Sequence, residues 1–283
     1  MRRYLIALSA LLVLMAGCGG MKSGQSRDAM PADSVSVSDT TATDTTEAAD
    51  EEMSNTPMPA AADELFDDFI FNFAANRKLQ RERVAFPLRS VSREKTEVIE
   101  RGQWKTEHFF MQQQYYTLLF DSEEAMEVVK DTSVCQAIVE KIYFNTHSVI
   151  QYVFDRLRGA WMLTEIRTIG ISASANASFL DFYHQFATDK EFQAKSLGDT
   201  VTFVGPDPDD DFSRMEGVIT ADTWEAFAPE LPTRMIYNII YGKPRPEGNT
   251  KIFVLRGIAN GMEMEMTFHR GGDGKWKLTK LNT

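Results

Sequence analysis

Two aspartates, Asp68 and Asp181, occupy the same position in two similar stretches of this 283-residue chain. Two carboxylates that share an environment can divide acid and base roles between them. Both aspartates, however, lie about 200° around a helix from the first Phe of a neighbouring aromatic stripe, on the opposite face. Asp181 also follows Ser178 by three residues, which is the spacing of a capping box. We therefore predict structural roles for both carboxylates.

The acidic segment 207–211 has Asp at positions 1, 3 and 5 of a calcium-binding loop. Phe212 stands where such a loop needs Gly, and Val218 stands where its bidentate Glu belongs. A looser, weak calcium site remains an alternative to a solvated turn. The four histidines are far apart in sequence, and Cys135 has no metal-binding neighbour, so no zinc site is predicted. We predict no metal, no cofactor and no catalytic residue.

Aromatic side chains that carry a polar group recur at matching positions of the two halves. Tyr116 aligns with Tyr237, while Trp104 and Trp224 lie upstream of them. Rings with a polar group suit a pocket for a small ligand. We predict these four side chains as ligand-binding residues, with plain core packing as the alternative.

Two aromatic helices position these residues. The similar stretches align at an offset of 113 residues and place rings at helical spacing. The two stripes are Phe66, Phe69, Ile70 and Phe73, and Phe179, Phe182, Tyr183 and Phe186. Asn76 and Asp189 follow as N-caps, so each long helix should end there and a short helix should begin.

Strand-like segments follow each helix pair in the same order. Tyr115 to Asp121 matches Ile236 to Gly242, and Val149 to Phe154 matches Glu263 to Phe268. Duplication of one unit explains this order. Helices followed by antiparallel strands predict an α+β fold of two tandem cone-like domains, 64–172 and 173–283. In each domain, a helix pair would pack on a curved antiparallel sheet.

Residues 1–17 have the pattern of a secretory signal, with a basic start at Arg2 and Arg3 and an apolar run too short to span a bilayer. The run ends in LMAGC, which resembles a bacterial lipobox and implies a lipid on Cys18. Met15 departs from the usual Leu, and an ordinary cleaved signal is the alternative. The segment after Cys18 lacks the acidic cluster that directs some lipoproteins to the cell exterior. We expect a lipid-anchored protein of the cell envelope that faces the periplasm.

Residues 18–63 are predicted to be a disordered acidic tether, because 19–63 contain no Phe, Tyr, Trp, Leu or Ile. Loss of Arg2 and Arg3 with the signal changes the formal net charge from −11 to −13. Nucleic acid is therefore not a predicted partner. With Cys18 lipidated, Cys135 would be the one free thiol, and we expect it to be buried and inert.

Several short motifs together resemble a family of uncharacterised lipoproteins of gut anaerobes. They are the Phe-x-x-Phe-x-x-x-Phe stripe, Phe192-Gln193, Phe86 to Leu88, Trp224, Pro229 to Pro232 and Tyr241-Gly242. The resemblance covers most of residues 64–283 and implies the nuclear-transport-factor-2-like, or cystatin-like, cone. It implies no catalytic residues.

The leading functional hypothesis is a non-catalytic module that binds a small ligand or a protein. Its expected partners are the membrane, through the Cys18 lipid, and a small hydrophobic or aromatic-stacking ligand or a protein. The alternative is an enzyme that resembles ketosteroid-isomerase-like cones, with Asp and Tyr as base and oxyanion donor. That enzyme needs a carboxylate in a cone near Tyr116 or Tyr237. A third hypothesis makes the packing of the two halves as a pseudo-dimer the purpose of the fold.

Overall fold

Each half of the chain begins with a helix pair. A computed structural model describes residues 63–207 and 209–283. The pairs are α1 (Phe66–Ala75) with α2 (Arg77–Arg83), and α4 (Ala177–Thr188) with α5 (Lys190–Lys195); a short α3 (Glu123–Met126) lies between them. The side chain of Asn76 accepts a hydrogen bond from the Leu79 amide at 2.9 Å, and Asp189 accepts from the amides of Glu191 and Phe192. Both predicted N-caps are confirmed.

Within the residues that the structure describes, twelve strands follow these helices, six in each half. They are β1 (Val84–Val91), β2 (Thr96–Ile99), β3 (Tyr115–Phe120), β4 (Gln136–Tyr143), β5 (Ser148–Leu157), β6 (Ala160–Gly170), β7 (Leu197–Asp207), β8 (Asp210–Ile219), β9 (Met235–Tyr241), β10 (Thr250–Gly257), β11 (Glu263–Arg270) and β12 (Trp276–Asn282). Short 3₁₀ helices span Arg101–Gln103, Phe109–Gln112, Glu127–Lys130, Ile171–Ala173 and Trp224–Ala226. The helix pair and the six strands come in the same order in both halves, and the predicted α+β class is confirmed.

The strands form two six-stranded sheets. Sheet I has the order β2-β1-β6-β5-β4-β9, and sheet II has the order β8-β7-β12-β11-β10-β3. The β1–β6 and β7–β12 pairs are parallel, and the other pairs are antiparallel. Each sheet therefore takes five strands from one half and one strand from the other.

The exchanged strands, β3 and β9, meet between the two sheets. The Tyr237 amide donates to the Thr117 hydroxyl at 3.0 Å, and that hydroxyl donates to the Tyr237 carbonyl. The Leu119 amide donates to the Asn238 side chain at 2.9 Å. We call this contact between β3 and β9 the seam. The boundary between 172 and 173 and the cone shape of each half stay predictions.

Two aromatic cores lie under the helix pairs. On α1, Phe66, Phe69 and Phe73 are buried, and Phe73 meets Phe154 of β5 with ring centroids 5.3 Å apart. On α4 the corresponding rings are Phe179, Phe182 and Phe186, and Phe186 meets Phe268 of β11 at 5.2 Å. The predicted stripes are confirmed as core. Edge-to-face contacts of this kind add to the free energy of burial.

The predicted capping box at Ser178 is wrong. A capping box at Ser178 would begin the helix at Phe179, but α4 begins two residues earlier, at Ala177, so Ser178 lies inside the first turn. Its hydroxyl instead accepts from the Arg270 guanidinium at 3.0 Å and from the Trp276 indole at 3.2 Å. The Glu247 carboxylate accepts from the Phe179 amide at 2.9 Å and so takes over part of the capping.

The prediction of a buried Cys135 is also wrong. Its side chain is exposed, with the thiol 3.3 Å from the Ser133 carbonyl. Cys135 lies one residue before β4 begins, so the sheet does not cover it.

The signal 1–17, the lipid site Cys18 and the tether up to residue 62 lie outside the described residues. Asp63, the last residue assigned to the tether, accepts two hydrogen bonds from the Arg83 guanidinium at 2.9 and 2.7 Å. No helix within the described part of the chain is long and apolar enough to cross a membrane.

Candidate functional site

The two predicted tyrosines lie in one core. Tyr116 of β3 is paired in register with Arg256, and Tyr237 of β9 is paired with Lys141, so each faces a basic residue on the neighbouring strand. Both rings are buried, and both contact Phe110, with centroids 5.4 and 5.6 Å apart. Burial raises the pKa of both hydroxyls. The structure therefore brings this pair together around Phe110.

The two predicted tryptophans lie apart from that pair and from each other. Trp104 packs on Phe86 with centroids 6.3 Å apart, and its buried indole nitrogen has no hydrogen-bond partner among the described residues. Trp224 donates to the Gln193 side chain at 2.9 Å and lines a cavity between α5 and the loop after β8. The four side chains do not form one pocket, and their role in ligand binding stays a prediction.

A carboxylate does lie near Tyr237. Glu107 accepts a hydrogen bond from Lys141 Nζ at 2.7 Å and from the Tyr152 hydroxyl at 2.8 Å. Burial acts to raise the pKa of Glu107, but the charge and hydrogen bond of Lys141, with the Tyr152 hydroxyl and the Phe109 amide, hold it below its usual value. Glu107 is therefore an ionised partner of Lys141.

A second carboxylate lies near Tyr116. Asp67 of α1 accepts a hydrogen bond from the Tyr241 hydroxyl. Burial raises the pKa of Asp67, against the opposing effects of that hydrogen bond and of the Arg256 charge. Arg256 itself donates to Glu263 at 2.9 Å. Asp67 and Glu107 do not line the cavity beside Trp224, and they do not line the cavity beside the seam that is described next.

A second cavity opens beside the seam. It has a volume of about 350 Å³ and is formed by the ends of β3 and β9, by α3, by the loop before α4, and by the loop that connects β9 to β10. Both halves of the chain contribute to it. We call it the seam cavity.

Lys251 of β10 lines the seam cavity and is almost fully buried, with 2% of its side chain exposed. Its ammonium group donates to the Asp121 carboxylate and to the Asn176 side-chain oxygen. Asp121 is 44% exposed, so water solvates the carboxylate far more than the ammonium group. A buried cation keeps its charge only with such partners.

Asn238 forms the floor of the seam cavity. Its side-chain oxygen accepts from the Leu119 amide, and its amide nitrogen donates to Glu140 at 3.0 Å. Gln151 donates to the other oxygen of Glu140 at 2.8 Å. Burial raises the pKa of Glu140, although both hydrogen bonds and the charge of Lys251 oppose that rise. Asn238, which lines the cavity, thus separates it from a buried carboxyl group.

Sequence reasoning missed Lys251 and Glu140, although a signal was present. Lys251 alternates with Phe253 and Leu255, which face a core, so strand periodicity places the lysine on a buried face. Glu140 alternates in the same way with Ile138 and Ile142. A charge on the inward side of a strand is rare and signals a polar partner nearby.

In the acidic segment 207–211, Asp207 is the last residue of β7 and Asp210 is the first residue of β8. The Asp207 carboxylate accepts from the Asp209 amide at 2.9 Å and from the Ser213 hydroxyl at 3.2 Å. Within residues 63–207 and 209–283, no group of three or more His, Cys, Asp or Glu side chains is arranged to hold a metal.

Comparison with known proteins supports the fold. The chain is similar to a solved structure of an NTF2-like (nuclear-transport-factor-2-like) protein from Bacteroides fragilis, at 43% identity. The match covers 80% of this chain and 98% of that one, with a TM-score of 0.71. No curated protein matches the chain. Residues 45–283 match a family described as a domain of unknown function, DUF4348. This match extends over most of the chain, which therefore belongs to the DUF4348 family.

Proposed function

We propose that this protein is a lipid-anchored module of the cell envelope that binds a small ligand in the seam cavity without catalysing a reaction. The observation that carries the proposal is the burial of Lys251 inside a cavity of about 350 Å³. A cavity of this size with a few convergent polar groups is typical of small-molecule sites. Burial of an ammonium group costs free energy, so we expect a buried ammonium group in a cavity to have a function such as ligand binding.

The position of the seam cavity supports a binding role for the fold as a whole. Asp121 and Asn176 come from opposite sides of residue 172, and Lys251 contacts both. The same order of elements in both halves supports a tandem copy of one nuclear-transport-factor-2-like unit. On this proposal, the ligand binds where the two copies exchange strands.

The anchor part of the proposal depends on the lipobox at Cys18. A lipid on this residue would hold the folded part at the membrane through the acidic tether. The substitution Cys18→Ser should move the protein from the membrane fraction to the soluble fraction, as measured by fractionation of cells that produce the variant. Retention of the variant on the membrane would contradict a Cys18 anchor.

The enzymatic alternative retains one observation in its favour, because carboxylates lie near both predicted tyrosines. Asp67 is hydrogen-bonded to Tyr241, however, and Glu107 is ion-paired with Lys141. A general base needs its carboxylate within reach of a substrate proton. Since neither carboxylate lines the seam cavity, we favour binding. Turnover by the purified chain that is lost in Asp67→Asn would favour the enzyme instead.

Native mass spectrometry of the full-length chain, purified in detergent from its own envelope, tests the binding proposal. We expect a bound small-molecule mass that is lost in Ala175→Phe, which places a ring in the seam cavity. Ala221→Phe is the matched control, because Ala221 lines the cavity beside Trp224. Circular dichroism should show that both variants fold. Wild-type chain without a ligand, or an Ala175→Phe chain that keeps it, would contradict the proposal.

A further inference from the structure

Hydrogen-bond donors without protein partners line the seam cavity. An ammonium group has three N–H donors, and Lys251 uses one on Asp121 and one on Asn176. In that contact the side-chain oxygen of Asn176 faces Lys251. The side-chain NH₂ group of Asn176 has no hydrogen-bond partner among the described residues. Asn238 gives one N–H to Glu140, which leaves the second. The inner wall thus offers donors, whereas the side-chain oxygens of both asparagines already accept hydrogen bonds.

Two further cations lie at the mouth of the seam cavity. Lys243 and Arg245 are exposed on the loop between β9 and β10, and both line the cavity. Neither forms an ion pair with any described residue. A guanidinium group presents its donors in a planar fork that matches a carboxylate or phosphate. These two side chains are therefore available to a ligand at the mouth.

The charge of the cavity wall is opposite in sign to that of the chain. The charged residues of the wall are Lys243, Arg245 and Lys251 with Asp121 and Glu124, so its formal net charge is +1, whereas the whole chain carries −11. Asp121 is already bound to Lys251. Glu124 is exposed, so water and salt screen its charge. Cations thus outnumber carboxylates by one on the wall, and the most buried charged group there is the ammonium group of Lys251.

We propose, on the basis of the binding role proposed above, that the ligand of the seam cavity is a small anion with a carboxylate or phosphate group. The anion would accept from Lys251 and from the free N–H groups of Asn176 and Asn238. Lys243 and Arg245 would bind its outer end. A carboxylate or phosphate offers only acceptors at neutral pH, which complements a wall of donors.

Binding of four probes to the full-length chain in detergent, measured by calorimetry and, for the three organic probes, also by saturation-transfer NMR, tests this proposal. The probes are succinate, inorganic phosphate, the uncharged dimethyl succinate and the dication 1,4-diaminobutane. We expect succinate or phosphate to bind, and the neutral and cationic probes to bind more weakly. The first two probes distinguish a carboxylate from a phosphate site.

Charge-removing variants locate the binding. Lys251→Met should weaken binding of the anionic probe by about tenfold or more, because a hydrogen bond to a charged group is lost. The double variant Lys243→Gln, Arg245→Gln should weaken it several-fold and reduce its dependence on salt. The control Arg77→Gln, Lys78→Gln removes the same charge from two exposed positions of α2 outside the cavity and should leave binding unchanged. Should Lys251→Met fail to fold, the double variant and its control carry the test.

The outcomes separate this inference from the binding proposal. Preferential binding of dimethyl succinate or of the diamine, lost in Ala175→Phe, would overturn the anionic class and leave the binding role intact. A panel without an anionic hit, or anion binding that the double variant leaves unchanged, would overturn the inference. Failure of the binding role itself would appear in the mass spectrum of the native protein, which needs no assumption about charge.

Discussion

Substitution of Asn238 by Ala tests whether the seam holds the two sheets together. Asn238 is 1% exposed and bonds two strands at once, through the Leu119 amide of β3 and the Glu140 carboxyl of β4. Asn238→Ala leaves a buried backbone N–H without an acceptor and removes one donor from a buried acid. An unsatisfied buried group costs about 1–3 kcal/mol, and a hydrogen bond to a charged group contributes about 1.5–3 kcal/mol.

These two losses together should lower the free energy of unfolding by about 2.5–6 kcal/mol. For a folded region of this size, the loss corresponds to a fall in Tm of about 5–24 °C. Urea denaturation followed by circular dichroism measures the free energy directly. The control Asn72→Ala removes an exposed amide whose bond to the Asp68 carbonyl is 2.7 Å long, and it should change stability by less than about 0.5 kcal/mol. A loss below about 1 kcal/mol in Asn238→Ala would refute the reasoning, since the seam would then hold without this side chain.

Three further predictions follow from individual side chains. The pKa of Glu107 in the folded state lies below its unfolded value of 4.5, so the ion pair with Lys141 stabilises the fold above pH 4.5. The contribution of this ion pair to the free energy of unfolding is lost as the pH falls through the folded pKa. Glu107→Gln should therefore lower the urea midpoint at pH 7 and flatten its decline below pH 4.5; an unchanged acid slope would contradict this. Tyr241→Phe removes the hydroxyl that donates to Asp67 and should lower the free energy of unfolding by about 1–3 kcal/mol. This loss should grow as the pH rises through the raised pKa of Asp67, because the hydrogen bond stabilises the ionised carboxylate. An unaltered urea midpoint would argue against the contact. Cys135 is exposed and should react with a thiol reagent without denaturant, whereas reaction only after unfolding would mean that it is covered.

Helical spacing and capping chemistry made the helix pairs predictable from sequence. Rings at Phe66, Phe69 and Phe73 can share one face only in a helix, and Asn76 and Asp189 suit the start of the next helix. Such signals are local, because neighbours along the chain create them. The inward face of β11 has the same kind of local signal, since Met264 and Met266 alternate with glutamates and are buried, whereas Met262, in the same alternation, precedes the strand and is exposed.

The exchange of β3 and β9 could not be predicted in this way. Tyr115 to Phe120 has the alternation of a strand whether it pairs with β4 or with β10, because periodicity indicates a face and not a partner. The seam cavity depends on that exchange and was missed with it. Ser178 shows the same limit locally. The spacing alone allowed a capping box there, but α4 begins two residues earlier than that box requires.

The exchanged strands also restrict how the protein can be divided. A fragment that ends before Ser174 would carry β3 without β10, and its β4 would have an open edge in place of β9. Unpaired edges bind other strands, so two such fragments should complete each other by reciprocal donation of β3. In the full chain, β10 pairs with β3 and β9 covers the edge of β4, so both donations are made within one polypeptide.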